Sequence, residues 1–422
     1  MIVELVNTGS ELMLGRTLNT HQQWLCRRLA DLGYVVSRQI AIADIGPEIQ
    51  QAVREALSRA DLIIVTGGLG PTSDDITRDL IAQLLGKALH EDAAIVAHIK
   101  AIFSSRNRIM PERNRMQALV PEGAVVLPNP NGTAPGLAME VQPNPFRSDG
   151  KSSWLIMLPG PPRELRPMFD DTVVPLLTRT LPVESKFVCR TLRTTGVPES
   201  MLAEKTSGPL QPLVDAGLEL GYCARVGQVD VRLSARGEGA ARLVSDAEAI
   251  LRGMFKAEIF AEQDDELETV IVRLLTERKQ TLAVAESCTG GCIANRITNV
   301  PGASIIFLAG LVTYSNEAKR KFLGVKADTL QQHGAVSEAV AREMAEGVRA
   351  TTGADFSLSV TGIAGPRGGT RDKPVGTVFL GLASASGTLV DRNFNPYDRE
   401  TFKQVTGQQA LNRLRLCLTN PE

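Results

Sequence analysis

The segment Ala285-Glu286-Ser287-Cys288-Thr289-Gly290-Gly291 decides how the C-terminal part of this chain is interpreted. An apolar run, Thr281 to Ala285, precedes Ser287 and predicts a buried strand, and a helix is predicted from Cys292 to Ile297. Ser287 then lies at a strand end, just before a helix whose first backbone N–H groups are free to bind an anion. The pattern suits a nucleophile, but it equally suits a serine and a threonine that only cap the helix.

Two further polar segments follow predicted strands in the same region. Thr313 to Lys319 follows the strand candidate Ile305 to Thr313, and Thr361 to Pro366 follows the candidate Phe356 to Thr361. In an α/β sheet such strand ends meet at one edge, where ligands bind. Serine needs a neighbouring base, and a desolvated lysine is an established one. The sequence therefore predicts an α/β amide-hydrolase domain in which Lys319 activates Ser287.

Other interpretations of these residues stay open at this stage. Cys288 with His333 is an alternative amide-cleaving pair, ranked lower because Cys288 adjoins Ser287 and its side chain must point away from it. Tyr314 fits a partly buried core aromatic equally well, and Lys319 fits a solvated surface charge. Only the placement of Ser287, Tyr314 and Lys319 together near strand ends favours a catalytic role for them.

A glycine-rich segment marks the N-terminal part. Gly67-Gly68-Leu69-Gly70-Pro71-Thr72 follows the buried strand candidate Asp61 to Thr66. Glycines let the backbone approach a phosphate closely, so Gly67, Gly68, Gly70 and Thr72 are candidate phosphate-binding residues. Asp74 and Asp75, with Asp44, are candidate ligands for a hard divalent cation, although carboxylates that begin a helix commonly only complement its dipole.

Strands alternate with helices from the N-terminus, which predicts a mostly parallel sheet covered on both faces. The strand candidates here are Ile2 to Thr8, Tyr34 to Ile42, Asp61 to Thr66 and Leu155 to Leu158, and the segment Gln142 to Ser153 reads as an exposed hairpin or loop. At 422 residues several domains are expected. We predict a parallel α/β domain over 1–180, a small α+β module over 184–262, and the α/β hydrolase domain over 265–422.

The composition argues against several functional classes. The formal net charge is −1, so nothing in the overall charge indicates direct binding to nucleic acid. The N-terminus, Met1 to Gly9, has no basic leader, and no apolar run approaches the length of about 18 residues typical of a membrane span, so we expect a cytoplasmic protein with no membrane partner. Six scattered cysteines indicate neither a zinc site nor a disulfide framework.

Five ordered motifs make the C-terminal region resemble the competence/damage-inducible protein A (CinA) family. They are Ala285 to Gly291, Thr313 to Lys319, Gly334 to Ser337, Thr361 to Pro366 and Lys373 to Val378. The resemblance implies hydrolysis of the carboxamide of nicotinamide mononucleotide to nicotinic acid mononucleotide and ammonia, without a cofactor.

The same resemblance assigns roles to residues of this chain. Ser287 would be the nucleophile, Lys319 the base, and Tyr314 and Thr361 supporting groups. The residues implied in substrate binding are Thr289, Gly290, Gly291, Gly362 and Arg399. One departure is visible: the family usually has Gly-Asp-Arg with a second Arg four residues on, whereas this chain has Tyr397-Asp398-Arg399 and Lys403, which keeps the charge without the bidentate fork.

The N-terminal half resembles the molybdopterin-binding, MoaB/MogA-like domain of CinA proteins. The motifs that carry this resemblance are Thr8 to Leu12, Asp44, Gly67 to Thr77, Asn129 with Gly132 to Gly136, and Leu158 to Glu164. It implies an ADP-ribose pyrophosphatase that needs a divalent metal, Mg²⁺ or Co²⁺, bound by Asp44, Asp74 and Asp75. Related domains self-associate, so a homodimer is expected. His21 departs from the family, which commonly has Asn there.

Two hypotheses from different classes follow. The first is a bifunctional enzyme of the pyridine nucleotide cycle that acts on nicotinamide mononucleotide and ADP-ribose. The second is a pterin- or nucleotide-binding scaffold with an inert C-terminal domain, linked through partners to competence or DNA damage. A molybdopterin-processing enzyme is a further alternative for the N-terminal half, since the same glycine-rich site suits both ligands.

Overall fold

The expected alternation of strands and helices is present in the computed structural model, which describes residues 1–183, 187–262 and 265–419. The chain divides into two compact units. The first consists of Met1–Val188 with Arg236–Glu238, and the second of Cys189–Ala235 with Gly239–Glu422. The division into domains at 1–180, 184–262 and 265–422 stays a prediction, and residues 184–186 at the start of the middle module lie outside the described part.

The first unit is built on a six-stranded sheet. Its strands, with a separate pair β4 and β5, are β1 Val3–Thr8, β2 Val36–Ile42, β3 Leu62–Thr66, β4 Leu89–Glu91, β5 Leu119–Pro121, β6 Val125–Leu127, β7 Gly136–Val141 and β8 Ser153–Leu158. The order is β2-β1-β3-β8-β7-β6, in which the first four strands are parallel, β7 is antiparallel to β8, and β6 is antiparallel to β7. The loop between β7 and β8 is therefore a hairpin connection, as expected.

Helices cover both faces of this sheet. They are α1 Ser10–Met13, α2 Thr20–Asp31, α3 Gly46–Leu57, α4 Thr77–Leu84, α5 Ala93–Ser105, α6 Pro162–Met168 and α7 Val174–Thr180. Successive side chains of a strand point to opposite faces, so Leu5 of β1 packs with Leu25 of α2, whereas Val6 packs with Val53 of α3. The α/β class is confirmed, and the carboxyl ends of the parallel strands meet at one edge.

The second unit contains two sheets. The smaller has the order β10-β11-β9-β12, with α8 and α9 beside it, and its elements are β9 Phe187–Thr195, α8 Glu199–Asp215, β10 Glu219–Arg225, β11 Gln228–Arg236, α9 Ala240–Met254 and β12 Ile259–Glu262. This is the small α+β module that the sequence predicted, although its bounds as a separate domain stay untested.

The larger sheet of the second unit carries the Ser287 segment. Its strands are β13 Leu282–Glu286, β14 Phe307–Val312, β15 Phe356–Gly362, β16 Thr377–Ser384 and β17 Gly387–Phe394, and its helices are α10 Leu267–Arg278, α11 Cys292–Thr298, α12 Asn316–Leu323, α13 Ala327–His333, α14 Glu338–Thr352 and α15 Arg399–Thr419. The order is β14-β13-β15-β16-β17. The first three strands are parallel, β16 is antiparallel to β15, and β17 is antiparallel to β16.

Strand β13 lies between β14 and β15 in this sheet and is buried on both faces. Leu282 and Val284 pack in the cluster formed with α10, α11 and α15, whereas Ala283 and Ala285 pack against Met344 of α14. Burial on both faces explains why the strand is a continuous apolar run rather than an alternating one. Within the described residues, the structure contains no helix with the length and apolarity needed to cross a membrane.

Candidate active site

Three parallel strands end side by side at the edge that carries Ser287. The register pairs Glu286 of β13 with Val312 of β14 and with Val360 of β15. In each strand the next residue is polar: Ser287 and Thr313 directly follow β13 and β14, and Thr361 is the second-last residue of β15. The polar strand ends therefore converge on one rim, as the sequence predicted.

Lys319 reaches this rim from α12. Ser315 caps the helix, since its Oγ accepts the Ala318 N–H at 3.1 Å, and Lys319 follows one turn later. The lysine is only 1% exposed. Its Nζ lies 2.9 Å from the Ser287 Oγ, and it donates to the Thr313 carbonyl at 2.7 Å and to the Tyr314 carbonyl at 3.3 Å. The serine and lysine proposed from sequence are thus in direct contact.

The surroundings of Lys319 favour the neutral amine. Burial lowers the pKa of Lys319 below its ordinary value. Within the described ranges no carboxylate forms an ion pair with it. A neutral amine has two N–H bonds, one for each of the two carbonyls, and its lone pair is then left for the Ser287 hydroxyl proton. The pair has the geometry of a nucleophile and its general base.

The turn around Ser287 is fixed by backbone hydrogen bonds. The Ser287 N–H donates to the Val360 carbonyl at 3.0 Å, and the Gly290 N–H donates to the Ser287 carbonyl at 3.2 Å. Gly290 and Gly291 have φ of 63° and 94°, which favours glycine at both positions. Ser287 itself is 8% exposed at the strand end.

The helix-start amides differ from the sequence-based expectation. The Gly291 N–H donates to the Glu286 carboxylate at 3.0 Å, and the Gly290 N–H donates to the Ser287 carbonyl. Neither N–H is therefore free to bind an anion. In the described part of the chain, the amides of Cys288 and Thr289 donate to no oxygen. The sequence did not single out Glu286, because an acidic residue ending an apolar strand is not in itself a functional signal.

The alternative pair of Cys288 and His333 is not supported. Cys288 is 5% exposed, and burial raises the pKa of its thiol to about 12, so the thiolate is absent near neutral pH. His333 is exposed at the end of α13.

The remaining predicted residues lie on the rim. The Tyr314 ring is 60% exposed, and its hydroxyl accepts from Arg399 at 2.8 Å, while Arg399 also donates to the Gly365 carbonyl at 3.1 Å. The Lys403 Nζ is 3.8 Å from the position where a side chain on Gly290 would begin. Two cationic side chains are therefore near the nucleophile turn, which suits an anionic substrate group.

Thr361 and Gly362 have structural contacts. The Thr361 Oγ1 donates to the Ala335 carbonyl at 2.8 Å, so this hydroxyl holds the loop before α14 rather than Ser287. A Cβ on Gly362 would lie 2.9 Å from the Thr377 carbonyl oxygen, so the close approach of β16 requires glycine there. Lys373, which the sequence did not assign a role, donates to the His333 and Val336 carbonyls at 2.8 and 2.7 Å.

A second candidate site lies in the first unit, in a cavity of about 340 Å³ at the carboxyl ends of its parallel strands. Six of the seven predicted N-terminal site residues line it: Gly67, Gly68, Gly70, Asp44, Asp74 and Asp75. Thr72 does not line it; its N–H and hydroxyl both donate to Asp75. Gly67 has a φ of 99°, and a Cβ there would be 2.6 Å from the Thr8 carbonyl oxygen.

The carboxylates of this cavity are held by the chain itself. Asp44 accepts the Ser10 N–H at 2.8 Å, Asp75 accepts from Thr72, and a hydrogen bond from Thr72 lowers the pKa of Asp74. Across the described ranges, no three acidic, histidine or cysteine side chains are placed to hold a metal. Mg²⁺ commonly takes only one or two carboxylates and completes its shell with substrate phosphates and water, so the donor set fits a metal that enters with a diphosphate.

Comparison with known proteins gives matches along nearly the whole chain. Residues 4–179 match the family model described as a probable molybdopterin binding domain, and residues 264–418 match the CinA C-terminal domain. A CinA-like protein of Akkermansia muciniphila is 45% identical over 97% of this chain and 95% of its own length. A CinA-like protein of Gemmatimonas aurantiaca is 41% identical over 98% and 96%. The crystal structure of a competence/damage inducible protein from Agrobacterium tumefaciens is 38% identical, covers 36% of this chain and 94% of that chain, and has a TM-score of 0.35.

Proposed function

This chain belongs to the CinA family, and we propose that it is a bifunctional pyridine-nucleotide hydrolase whose C-terminal site deamidates nicotinamide mononucleotide. One observation carries the proposal: a buried Lys319 Nζ 2.9 Å from the Ser287 Oγ, with two backbone carbonyls as its other partners. The specific substrate comes from the family resemblance, and the contacts of this chain support the class of reaction.

The amidase reaction follows from these contacts. Ser287 Oγ attacks the carboxamide carbon while its proton passes to the neutral Lys319. The negative charge that develops on the carboxamide oxygen is stabilised by the unpartnered amides of Cys288 and Thr289. When the tetrahedral intermediate collapses, Lys319 returns the proton to the leaving nitrogen and ammonia departs. Water then attacks the acyl-enzyme while Lys319 accepts its proton. The bond between the acyl carbon and Ser287 Oγ breaks, Lys319 returns the proton to that oxygen, and the nicotinic acid product leaves and ionises.

The rim suits a substrate that carries a phosphate. Arg399 and Lys403 both lie near the nucleophile turn, and Arg399 is held by the Tyr314 hydroxyl and the Gly365 carbonyl. A mononucleotide presents its phosphate to these cations while its carboxamide reaches Ser287. No cofactor is needed for this chemistry.

For the first unit we propose hydrolysis of ADP-ribose. The glycine-rich loop provides a close-approach surface for a diphosphate, and Asp44, Asp74 and Asp75 line the same cavity. These carboxylates would hold Mg²⁺ or Co²⁺ together with the substrate phosphates. A bound divalent cation would neutralise the diphosphate and polarise its phosphorus–oxygen bonds.

Ammonia release tests the amidase proposal. The full chain is incubated with nicotinamide mononucleotide, and ammonia and nicotinic acid mononucleotide are measured. We expect equal amounts of both products and a loss of activity in Ser287→Ala. Wild-type activity in Ser287→Ala would remove Ser287 from the mechanism, and nucleotide binding without turnover would favour the scaffold hypothesis.

The N-terminal proposal has a separate assay. ADP-ribose is incubated with the chain and Mg²⁺ or Co²⁺, and AMP is measured. We expect AMP formation that is lost in Asp75→Ala. If ADP-ribose is left intact with either metal while a pterin ligand binds, the molybdopterin-processing alternative is the better one.

A further inference from the structure

Glu286 is a buried carboxylate that the catalytic scheme above does not use. It is the last residue of β13 and is 1% exposed. One carboxylate oxygen accepts the N–H groups of Gly291 at 3.0 Å and Ile293 at 3.2 Å, and the other accepts the Ala294 N–H at 2.8 Å. In the part of the chain that the structure describes, Glu286 forms no ion pair with lysine or arginine.

This arrangement replaces the usual cap of a helix. Helices are commonly capped by a Ser, Thr, Asp or Asn at the residue before the first turn, but this position in α11 is Gly291, which has no side chain to do so. The carboxylate of Glu286 does it from the strand, five residues upstream. Glu286 therefore holds the turn 287–290 at both ends: its backbone leads directly into Ser287, and its carboxylate accepts the N–H of Gly291.

Among the described residues, two backbone amides of the turn have no hydrogen-bond acceptor. The Glu286 carboxylate accepts hydrogen bonds from the N–H groups of residues 291, 293 and 294. Backbone carbonyls accept from the N–H groups of residues 287, 290 and 292. The remaining two are the backbone N–H groups of Cys288 and Thr289, next to the nucleophile, for which the described residues provide no acceptor. A backbone N–H just after a nucleophilic serine is a common oxyanion donor, and its strength depends on its being fixed before the reaction begins.

We propose that Glu286 is a positioning residue that shapes the oxyanion site: it occupies the helix-start amides and holds the Cys288 and Thr289 amides and Ser287 in their reactive arrangement. The inference rests on the proposed serine amidase chemistry. Among the described residues the Glu286 carboxylate bonds to backbone N–H groups and not to Lys319, so it acts through the backbone of the turn.

Glu286→Gln is the sharpest variant. It keeps the size of the side chain but puts an NH₂ group against backbone N–H groups, so at least one of the three hydrogen bonds is replaced by a contact between two donors. We expect kcat for nicotinamide mononucleotide to fall by about 10²-fold with KM within about threefold of the wild type, as for loss of an oxyanion donor. A purely structural role would lower the melting temperature but leave kcat per folded molecule unchanged.

Asp355→Asn is the matched control. Asp355 accepts the Thr281 N–H and the Thr281 hydroxyl, both at 2.8 Å, just before the opposite end of the same strand. It should lower the melting temperature without changing kcat. If Glu286→Gln does not fold, Glu286→Asp keeps the charge at the helix start but shortens the reach by one methylene, and the same fall in kcat with unchanged KM is expected.

A readout that does not depend on the nucleotide separates this inference from the proposed function. With phenylmethanesulfonyl fluoride, Ser287 Oγ bonds to sulfur, fluoride leaves, and the serine proton passes to Lys319. Mass spectrometry gives the rate of labelling at Ser287. We expect this rate to fall in both Glu286 variants and to stay at the wild-type value in Asp355→Asn.

The outcomes are distinct. Wild-type chain that is labelled at Ser287 but releases no ammonia from nicotinamide mononucleotide contradicts the proposed substrate, and the labelling rates still decide the role of Glu286. A folded Glu286 variant with wild-type labelling and wild-type kcat overturns the inference.

Discussion

In the proposed amidase mechanism, the charge of Lys319 decides whether Ser287 can be activated as a nucleophile. A protonated amine has no lone pair, so it cannot take the serine proton, and the reaction needs the neutral form. Burial lowers the pKa of this lysine, and the contacts with the Thr313 and Tyr314 carbonyls satisfy both N–H bonds of the neutral amine. The same two carbonyls would also accept hydrogen bonds from a charged ammonium group. Burial is therefore the feature that favours the neutral amine, which is the form that can act as a base.

The lowered pKa of Lys319 predicts the pH dependence of the proposed amidase activity. Because only neutral Lys319 is active, kcat/KM should rise with pH and level off above the folded pKa of Lys319, which lies below its ordinary value of 10.5. Lys319→Met should lower kcat by about 10²–10⁴-fold. Ammonia release measured from about pH 6 to about pH 10 checks both expectations. A rate that falls as pH rises through this range would contradict the lysine-base mechanism.

Stability gives an independent check on the same pKa. The folded state binds the Lys319 proton less tightly than the unfolded chain does, so unfolding free energy should rise with pH between the folded pKa and 10.5. Urea unfolding over that pH range should show this rise in unfolding free energy in the wild type and not in Lys319→Met.

Lys403 is one of the residues at which this chain departs from the pattern that the family resemblance implies. Its Nζ is near Gly290, on the nucleophile turn, so its charge can attract the phosphate of a bound nucleotide. We expect Lys403→Ala to raise KM for nicotinamide mononucleotide by about tenfold, which corresponds to about 1.4 kcal/mol, with a smaller change in kcat. Lys403→Arg should lower KM, because guanidinium binds phosphate in a bidentate way. Steady-state kinetics of the two variants test this, and an unchanged KM in Lys403→Ala would place the phosphate elsewhere.

At the scale of elements, the position of Lys319 depends on how α12 packs. Its last residue, Leu323, lies against α14, and a Cβ on Gly347 of α14 would overlap the Leu323 carbonyl oxygen. Glycine is therefore required in the middle of α14, where it would otherwise weaken a helix. This contact fixes the helix that carries the lysine relative to the strand that carries the serine.

Gly347→Ala should disturb both stability and catalysis. The added methyl forces α12 away from α14, and we expect unfolding free energy to fall by about 1–3 kcal/mol, with a lower kcat as Lys319 moves from Ser287. Urea unfolding and ammonia release measure the two effects. The matched control is Gly253→Ala in α9, where a Cβ meets nothing within 4 Å, and a gain of about 0.5–1 kcal/mol is expected. Gly347→Ala with wild-type stability would show that the helices adjust without cost.

At the scale of the whole molecule, each candidate site is completed by residues of one compact unit. Ser287, Lys319 and Arg399 belong to the second unit, and the cavity with Gly67 and Asp75 belongs to the first. The metal requirement is proposed for the first site, where Asp44, Asp74 and Asp75 line the cavity. The homodimer and the cytoplasmic location stay predictions.

The two activities should therefore be separable. Chelation of divalent metals with EDTA should abolish AMP formation from ADP-ribose while ammonia release from nicotinamide mononucleotide continues unchanged. Ser287→Ala should have the opposite pattern. Both assays on one preparation of the full chain test this, and a loss of ammonia release on chelation would refute a metal-independent amidase.

Several features of the fold were readable from local sequence. Strands β1, β3, β13 and β15 are buried runs bounded by glycine or polar residues, and their identity depends on short-range pattern alone. Helix α15 was not predicted. It buries polar residues such as Thr406, Gln408 and Arg415 as well as apolar ones, so its sequence has no clear amphipathic period.

The sequence by itself determined the α/β class, the serine at a strand end and the polar segments after neighbouring strands, because these follow from residue type and spacing along the chain. Only the tertiary structure decided which groups touch. In the folded chain the Lys319 amine contacts the Ser287 hydroxyl, the Thr361 hydroxyl donates to the Ala335 carbonyl, and the Gly291 N–H donates to the Glu286 carboxylate. Burial and hydrogen bonding between segments far apart in sequence determine which polar atoms are left to react, and no local pattern contains that information.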